Sequence, residues 1–370
     1  DPSATLGMTV MFGMTIKIMP SLTKKIFQNT IVQIAGKIVS TILGLLTIMI
    51  MMRYFGAEQF GWYVTAVGFL QFIGILSDFG FTITTSALLG EAKFEKRALI
   101  NTIFTWRFIT AIVFNGLAPL LILFFPYPPA VKMAVTIISV SFFTIALNQV
   151  FMGYYQAELK IHIQTIGELI GRATLLALVW LFSHGGVSFL SIMLAISLSA
   201  ICNTAFLWIK SRGISFSLNK NISKALWRKI QPVALSVIFN AFYLYGDRVL
   251  LPLFAPVEQV AYYGAAYRIL DIITQVAALM MGLMLPLIAY SWSRGQHQDF
   301  NQRSQWAFEM VIILVIPMLA GVLVLAKPIM NLLGGADFIP ASGVLQVLIL
   351  SIFGIGLGMI FGDITLAIGR

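Results

Sequence analysis

Long apolar runs separated by short polar breaks set the pattern of this chain. Ten runs reach the roughly 20 residues a helix needs to cross about 30 Å of hydrocarbon. They cover 27–52, 60–88, 99–125, 130–156, 162–182, 187–209, 227–252, 259–290, 305–326 and 341–368. Runs of this length are too long for membrane strands, and lipid tolerates no unpaired backbone, so all ten are expected to be helices. The breaks between them are small: Pro126 to Pro129, His184 to Gly186 and Phe254 to Glu258 leave no room for a soluble domain. The longest hydrophilic piece, Lys210 to Lys229, reads as a basic linker containing a short amphipathic helix able to lie on a membrane surface.

Composition agrees with the pattern. Hydrophobic residues make up 59% of the 370 positions and charged residues 10%, against about 25% charged in a soluble domain. The fold class is therefore an all-α integral membrane protein. The net charge of +10 is largely a topology signal. Alternate breaks hold fifteen lysines and arginines on one side and three, Arg53, Lys132 and Lys327, on the other. That asymmetry places the N-terminus in the cytoplasm, and contact with anionic lipid accounts for the excess without nucleic acid. Residues 1–25 are expected to form an N-terminal cytoplasmic segment; their apolar positions precede their lysines, the reverse of a secretory signal. A single cysteine, Cys202, and three scattered histidines, His162, His184 and His297, offer no disulfide and no metal-ligand spacing.

One polar break returns. Phe55-Gly-Ala-Glu58-Gln59-Phe-Gly-Trp-Tyr63 is echoed by Phe254-Ala-Pro-Val-Glu258-Gln259-Val-Ala-Tyr-Tyr263. Each copy follows one span and opens a long second one, with Glu58 placed where the N-terminal dipole of a helix favours an acid. The offset fits a parallel repeat of six-span halves. The expected organisation is a six-helix lobe over 26–209, a cytoplasmic linker over 210–226 and a four-helix lobe over 227–370. The second lobe is two helices short, so the two pseudo-symmetric lobes read as six plus an incomplete four, with the missing pair expected to have been lost by truncation.

Charges inside the spans are the candidate chemistry. Lys37, Arg107, Arg172, Arg248 and Arg268 lie there, with Asp78, Glu168, Asp247, Asp271 and Asp363. Each costs about 2.5–3.5 kcal/mol at a helix centre, which makes each a functional hypothesis. Glu168 and Arg172 are four apart on one helix, Arg268 and Asp271 three apart, so these read as pairs that either hold helices together or line a cavity. Arg107 and Arg248 lie near enough to helix ends to snorkel. Lys37 is too central for that and must face a cavity, an anion or an acid on another helix, with Asp78 a candidate partner. Lys37, Arg107 and Arg268 are expected to line one shared cavity. Asn148, Gln149, Gln156 and Gln164 are further polar positions for a cavity or for bonds between helices. Trp62, Tyr63, Tyr262 and Tyr263 fall where an interfacial aromatic belt is expected, and the glycines of 354–362 read as a close-packing stripe.

The stretch "MMRYFGAEQFGWYVTAVGFLQFIGILSDFGF", with the later "YGDRVLL" and "VEQVAYYGAAYRILD", resembles the polysaccharide-transporter family of flippases. These are the Wzx-like members of the multidrug/oligosaccharidyl-lipid/polysaccharide exporter superfamily, and the resemblance runs from about Ile26 onward. It implies two helical lobes around a central cavity in a bacterial inner membrane. The cargo it implies is an undecaprenyl-pyrophosphate-linked oligosaccharide, moved to the outer leaflet for O-antigen, capsule or exopolysaccharide synthesis. It further implies no enzymatic step, no resident cofactor, a driving gradient of H+ or Na+ left open, and work alongside polysaccharide polymerase machinery. On this resemblance Lys37, Arg107, Arg172, Arg248 and Arg268 would face the pyrophosphate and acidic sugars, and Asp78, Glu168, Asp247 and Asp271 would be their partners or ion-coupling sites. A drug or cation antiporter of the same superfamily, and a membrane sugar polymerase or ligase, stand as alternatives. The first would favour a net acidic cavity, the second a substantial outer loop.

Overall fold

The computed structural model describes residues 20–90, 94–158, 160–211 and 214–368; at 20–31, 83, 86, 87, 90, 240, 241, 244 and 366 it describes the backbone alone. Most of the N-terminal segment, together with Lys93 and Arg212 of the orienting charges, lies outside the described residues, as do the side chains of Lys24 and Lys25.

The described residues form helices and connecting turns, with no strand among them. In chain order they are α1 (Pro20–Asp78), α2 (Phe81–Gly90), α3 (Lys96–Leu121), α4 (Pro129–Ala157), α5 (Ile161–His184), α6 (Phe189–Lys210), α7 (Lys220–Phe254), α8 (Val257–Ser293), α9 (His297–Gly334), α10 (Ala341–Ile349) and α11 (Ser351–Ala367). Eight helical stretches among them are long and apolar enough to cross a membrane. The first, Val32–Asp78, has 47 residues, about 70 Å at 1.5 Å per residue, which is two spans rather than one. It turns at Gly56, whose φ of 64° and ψ of −172° lie in a region open only to glycine. Counting it twice, these stretches cover nine of the ten expected spans, and α7 is helical throughout the remaining one, 227–252. The chain is a multi-pass membrane protein.

The helices pack in two groups. α1 and α3 to α6 pack on one another, as do α8 to α11, and α1 reaches across to α7, α8 and α9. The repeated motif explains the crossing. Gly61, in the first copy, lies against the backbone of Val257, and Gly264, just after the second copy, lies against Val64. A β-carbon at either position would collide with the facing helix, so the two glycines allow the two motif-bearing helices to touch. Nearby, the turn after α9 drives the fully buried Phe338 between Phe60 and Tyr262, with ring centroids at 5.6 and 6.0 Å. Arg53 donates to the Leu332 carbonyl at 2.8 Å, in the last turn of α9. The two groups are thus sealed together at the end of the bundle that carries Gly56.

Four local expectations change. The second span is broken: Phe79 and Gly80 have φ of 46° and 88°, so the run 60–88 is divided between α1 and α2. The linker has no separate surface helix, because α7 starts at Lys220 and runs unbroken to Phe254. Asn219 caps it, its side-chain oxygen accepting from the backbone N–H groups of Asn221 and Ile222. Ile222, Leu226 and Ile230 of its first turns are buried against α2, α3 and α4 rather than laid on a membrane. The residues of the expected aromatic belt are half-buried against neighbouring side chains rather than fully exposed: Trp62 packs on Phe189, Tyr262 on Phe338, and Tyr263 donates its hydroxyl to Asp247. In the glycine stripe only Gly356 meets a neighbouring helix closely, at Val311 and Val315; Gly354, Gly358 and Gly362 have open space.

Candidate functional site

A cavity of about 280 Å³ lies among α1, α4, α5 and α6, with Arg268 of α8 reaching in from the second helix group. α1 supplies Tyr63 and Gln71, α4 supplies Asn148, α5 supplies Glu168 and Arg172, α6 supplies Asn203 and α8 supplies Arg268. A smaller pocket of about 70 Å³ adjoins it, sharing Tyr63, Gln71 and Arg268, and adds Arg248 and Asp271. The local pattern Gly167-Glu168…Gly171-Arg172 builds one wall. Each glycine stands beside a charge, and a β-carbon at Gly167 would lie 2.8 Å from Asn203 Oδ1, at Gly171 3.0 Å from Asn203 Cβ. The bare backbone lets α6 close on α5 while the charges turn into the cavity.

The charged residues sort by what they touch. Lys37 pairs with Glu168 at 3.9 Å, the two side chains 34% and 33% exposed, and Ser40 also donates to that carboxylate. The acid on another helix that Lys37 requires is therefore Glu168, not Asp78. Arg248 is held from several sides. It donates to Gln71 Oε1 and pairs with Asp271 at 3.4 Å, and its guanidinium carbon lies 4.0 Å from the ring centre of Tyr267 and 4.9 Å from that of Tyr245. Such stacking fixes a planar cation well. Asp271 thus closes its ion pair with Arg248 and Glu168 with Lys37, while Arg268 and Arg172, their same-helix neighbours, interact with them only at longer range. The reason is reach: the facing helix offers a partner head-on, whereas an i,i+3 or i,i+4 partner must lie along the helix surface. Asp247 accepts from the Tyr263 hydroxyl, and its other oxygen is buried with no partner.

Arg107 leaves the expected shared cavity altogether. Its side chain is 2% exposed and pairs with Asp78 at 3.0 Å. It also donates to the carbonyls of Ser77 and Ala146, at 2.6 and 3.2 Å, and to Gln149. The break at Phe79 and Gly80 strips the last turn of α1 of its helical donors, and the guanidinium supplies one to Ser77. Arg107 borders only a small pocket of about 20 Å³ with Thr82, Gln149 and Gln156. Lys37, Arg107 and Arg268 do not line one cavity.

That leaves Arg172 and Arg268. Among the described residues neither closes an ion pair nor donates a hydrogen bond, and both face the 280 Å³ cavity. Arg172 and Arg268 thus bring two cations to one cavity, with Glu168 one helical turn from Arg172 and Asp271 one turn from Arg268. Three residues of this arrangement escape the charge pattern: Gln71, Asn203 and Tyr267. Gln71 and Asn203 are amides isolated in apolar runs, the same signal that marks Asn148. Tyr267 carries no such mark beyond lying next to Arg268. Among the described residues no cluster of His, Cys, Asp and Glu could hold a metal ion.

Comparisons with known proteins bear on the fold and the family. The inward-facing conformation of a multidrug resistance MATE family transporter of the MOP superfamily matches with a TM-score of 0.72 and 14% identity, over 92% of this chain and 84% of that one. The lipid II flippase MurJ, in an inward closed conformation, matches with a TM-score of 0.74 and 15% identity, over 91% and 76%. A MOP superfamily transporter from Pyrococcus furiosus, described as having a binding pocket of reverse polarity, matches with a TM-score of 0.63 and 16% identity, over 94% and 82%. At these identities the likeness is one of fold. No curated protein sequence matches. A family model does: the polysaccharide biosynthesis protein model spans residues 26–292, so most of the chain, including both copies of the repeated motif and every cation of the cavity, belongs to the polysaccharide biosynthesis protein family and is built on the MOP transporter fold.

Proposed function

We propose that the protein is a flippase for undecaprenyl-pyrophosphate-linked oligosaccharides in polysaccharide assembly, carrying them from the cytoplasmic to the outer leaflet of a bacterial inner membrane. The observation that carries this reading is the pair Arg172 and Arg268, one from each helix group, lining a common cavity with neither locked into an ion pair within 4 Å. A pyrophosphate brings charge that hydrocarbon rejects, and two guanidiniums at the cavity supply bidentate donors for it. The prenyl chain can remain in lipid throughout. Arg248 stands beside this pair as a third cation held by its tyrosines, and Lys37–Glu168 lies at the cavity margin. Asp247 and Asp271 are the carboxylates placed to couple transport to H+ or Na+, since both neighbour Arg248. Asp78 and Arg107 serve as a helix tie.

On this reading the lobes are 26–209 and 227–370, joined by 210–226, with the N-terminus cytoplasmic. The Gly56 seal then lies at the outer face, and the structure is closed to the outside.

The test is flipping of a fluorescent undecaprenyl-pyrophosphate oligosaccharide in proteoliposomes. Arg172→Gln and Arg268→Gln each remove charge-assisted hydrogen bonds worth about 1.5–3 kcal/mol, and each is expected to weaken binding of this lipid roughly tenfold or more. Unchanged binding in both variants, or transport of organic cations in place of the lipid, would overturn the proposal in favour of an antiporter.

A further inference from the structure

The linker between α6 and α7 carries a surface patch that the cavities do not account for. Its residues 214–219 run along α3. Ser215 and Asn101 exchange two hydrogen bonds at 3.0 Å, Ser217 and Thr105 exchange two more, and the Asn219 N–H donates to Thr102. Asn101 and Thr105 lie about 7 and 13 Å along α3 from its first residue, Lys96. The bonds thus satisfy an irregular backbone at a depth where lipid demands it. They also turn the linker's apolar side chains outward. Phe216 rests on Phe104, Phe108 and Trp208, with ring centroids at 5.5, 4.9 and 6.1 Å, yet stays 55% exposed, as does Leu218. Trp208 and its neighbour Ile209 are exposed too. Cations stand at both ends of this edge. Lys210 precedes the linker, and Lys220 and Lys224 follow it on the face of α7 opposite the buried Ile222 and Leu226. All three lysines are exposed, and none closes an ion pair among the described residues.

We infer that the linker and the two helix ends it joins form a binding site for an anionic glycerophospholipid. The lipid comes from the leaflet at the end of the bundle opposite Gly56, the cytoplasmic one on the orientation proposed above. Trp208, Phe216 and Leu218 meet the upper part of an acyl chain, and the lysines meet the headgroup charge. Apolar side chains at the headgroup–acyl boundary beside open cations are the two signals by which a protein holds anionic lipid. A zwitterionic lipid answers only the first, and its ammonium group is repelled by the lysines. An acidic soluble protein answers only the second and leaves the aromatic edge unmatched. None of these residues lines the cavities described above, so the site is separate from the cargo path and its occupancy does not depend on what the protein carries. Because the linker joins the two helix groups, a lipid held there pins their connection to the membrane.

The experiment titrates phosphatidylglycerol or phosphatidylcholine into the delipidated full chain in detergent and reads the melting temperature against each variant's own lipid-free value. The wild type is expected to be stabilised by phosphatidylglycerol and not by phosphatidylcholine. Lys210→Gln, Lys220→Gln and Lys224→Gln combined are expected to raise the phosphatidylglycerol concentration at half-effect by about fivefold for each lysine lost. The same three positions changed to Arg are expected to keep the wild-type midpoint. Leu218→Ser, which retains every cation, is expected to raise the midpoint as well. Lys132→Gln, on the opposite side of the charge asymmetry, is the control and is expected to leave it unchanged. Equal stabilisation by the two lipids, a triple Gln variant with the wild-type midpoint, or an equal shift in Lys132→Gln would each overturn the site. Glycerol phosphate without acyl chains giving the full stabilisation would overturn the lipid as its occupant.

Discussion

Arg107 and Arg172 are both arginines in membrane helices, and the difference between them is a matter of partners. Arg107 is enclosed by Asp78, Gln149 and two carbonyls, so its charge is spent on structure. Removing one side of a buried pair leaves the other uncompensated, at about 3–5 kcal/mol. Arg107→Leu and Asp78→Leu are each expected to lower stability in detergent by about that much, and the double variant by less than the sum; thermal unfolding of all three checks this. Glu158 makes a weaker, exposed contact at the opposite end of the bundle from Gly56. Hydrogen bonds from Lys96, with Lys160 nearby, hold its carboxyl below the usual range. A lowered carboxyl pKa stabilises the fold above its unfolded value, about 4.3, and that contribution is lost as pH falls through the folded value. The stability difference between wild type and Glu158→Gln is therefore expected to be constant from pH 7 to about 5 and to close on further acidification, read from melting temperatures across that range. The ion-bearing positions were legible in the sequence because charge in an apolar run is conspicuous. Their pairings were not, since each partner comes from another helix: Lys37 with Glu168, Arg107 with Asp78, Arg248 with Asp271.

At the scale of single elements, length and apolarity were sufficient to locate the helices, because hydrocarbon leaves the backbone no other way to pair. What escaped was where a helix stops within an apolar run. Phe79 and Gly80 break the second span without a polar residue to announce it beyond Asp78. Gly56 is the opposite case, a break the polar motif did mark. Its dihedral angles are closed to other residues, so Gly56→Ala is expected to cost about 1–3 kcal/mol, measurable by thermal unfolding, and to loosen the packing of Phe55 and Phe60 on either side. The linker illustrates a third case. Its basic, amphipathic look suggested a surface helix, yet a polar ladder ties it to α3. Asn101 bonds Ser215, Thr105 bonds Ser217, Thr102 accepts from Asn219 and Trp106 donates to Ser223. The ladder partners on α3 look like ordinary polar positions at a helix start until the linker is folded back onto them.

For the whole molecule, the contact between the two motif copies decides which end is shut. Gly61 meets Val257, Gly264 meets Val64, and Phe338 fills the space between Phe60 and Tyr262. Alternating access requires this seal to part. In a Cys202→Ala background, Phe60→Cys and Phe338→Cys, at positions whose rings touch across the seal, are expected to be joined by a short reducible bis-thiol crosslinker that arrests flipping in proteoliposomes, with reductant restoring it. Undiminished flipping in the crosslinked protein would show that the seal does not open during transport. Bulk at the same place should act in the other sense: Gly264→Leu is expected to hold the two helices apart, increasing labelling of a cysteine at position 63 by a membrane-impermeant thiol reagent from the Gly56 side.

The sequence by itself determined the solvent, the helices and the family. A chain with 59% hydrophobic and 10% charged residues has no stable arrangement outside lipid, and lipid permits only paired backbone. The repeated motif was readable because its residues are contiguous along the chain. Tertiary structure alone decided which cations close ion pairs across helices. Five arginines and lysines look equivalent along the sequence, yet three are taken by acids on neighbouring helices and two, Arg172 and Arg268, are left facing one cavity. Coulombic pairing acts over a few ångströms, and only packing of distant segments brings groups within that range.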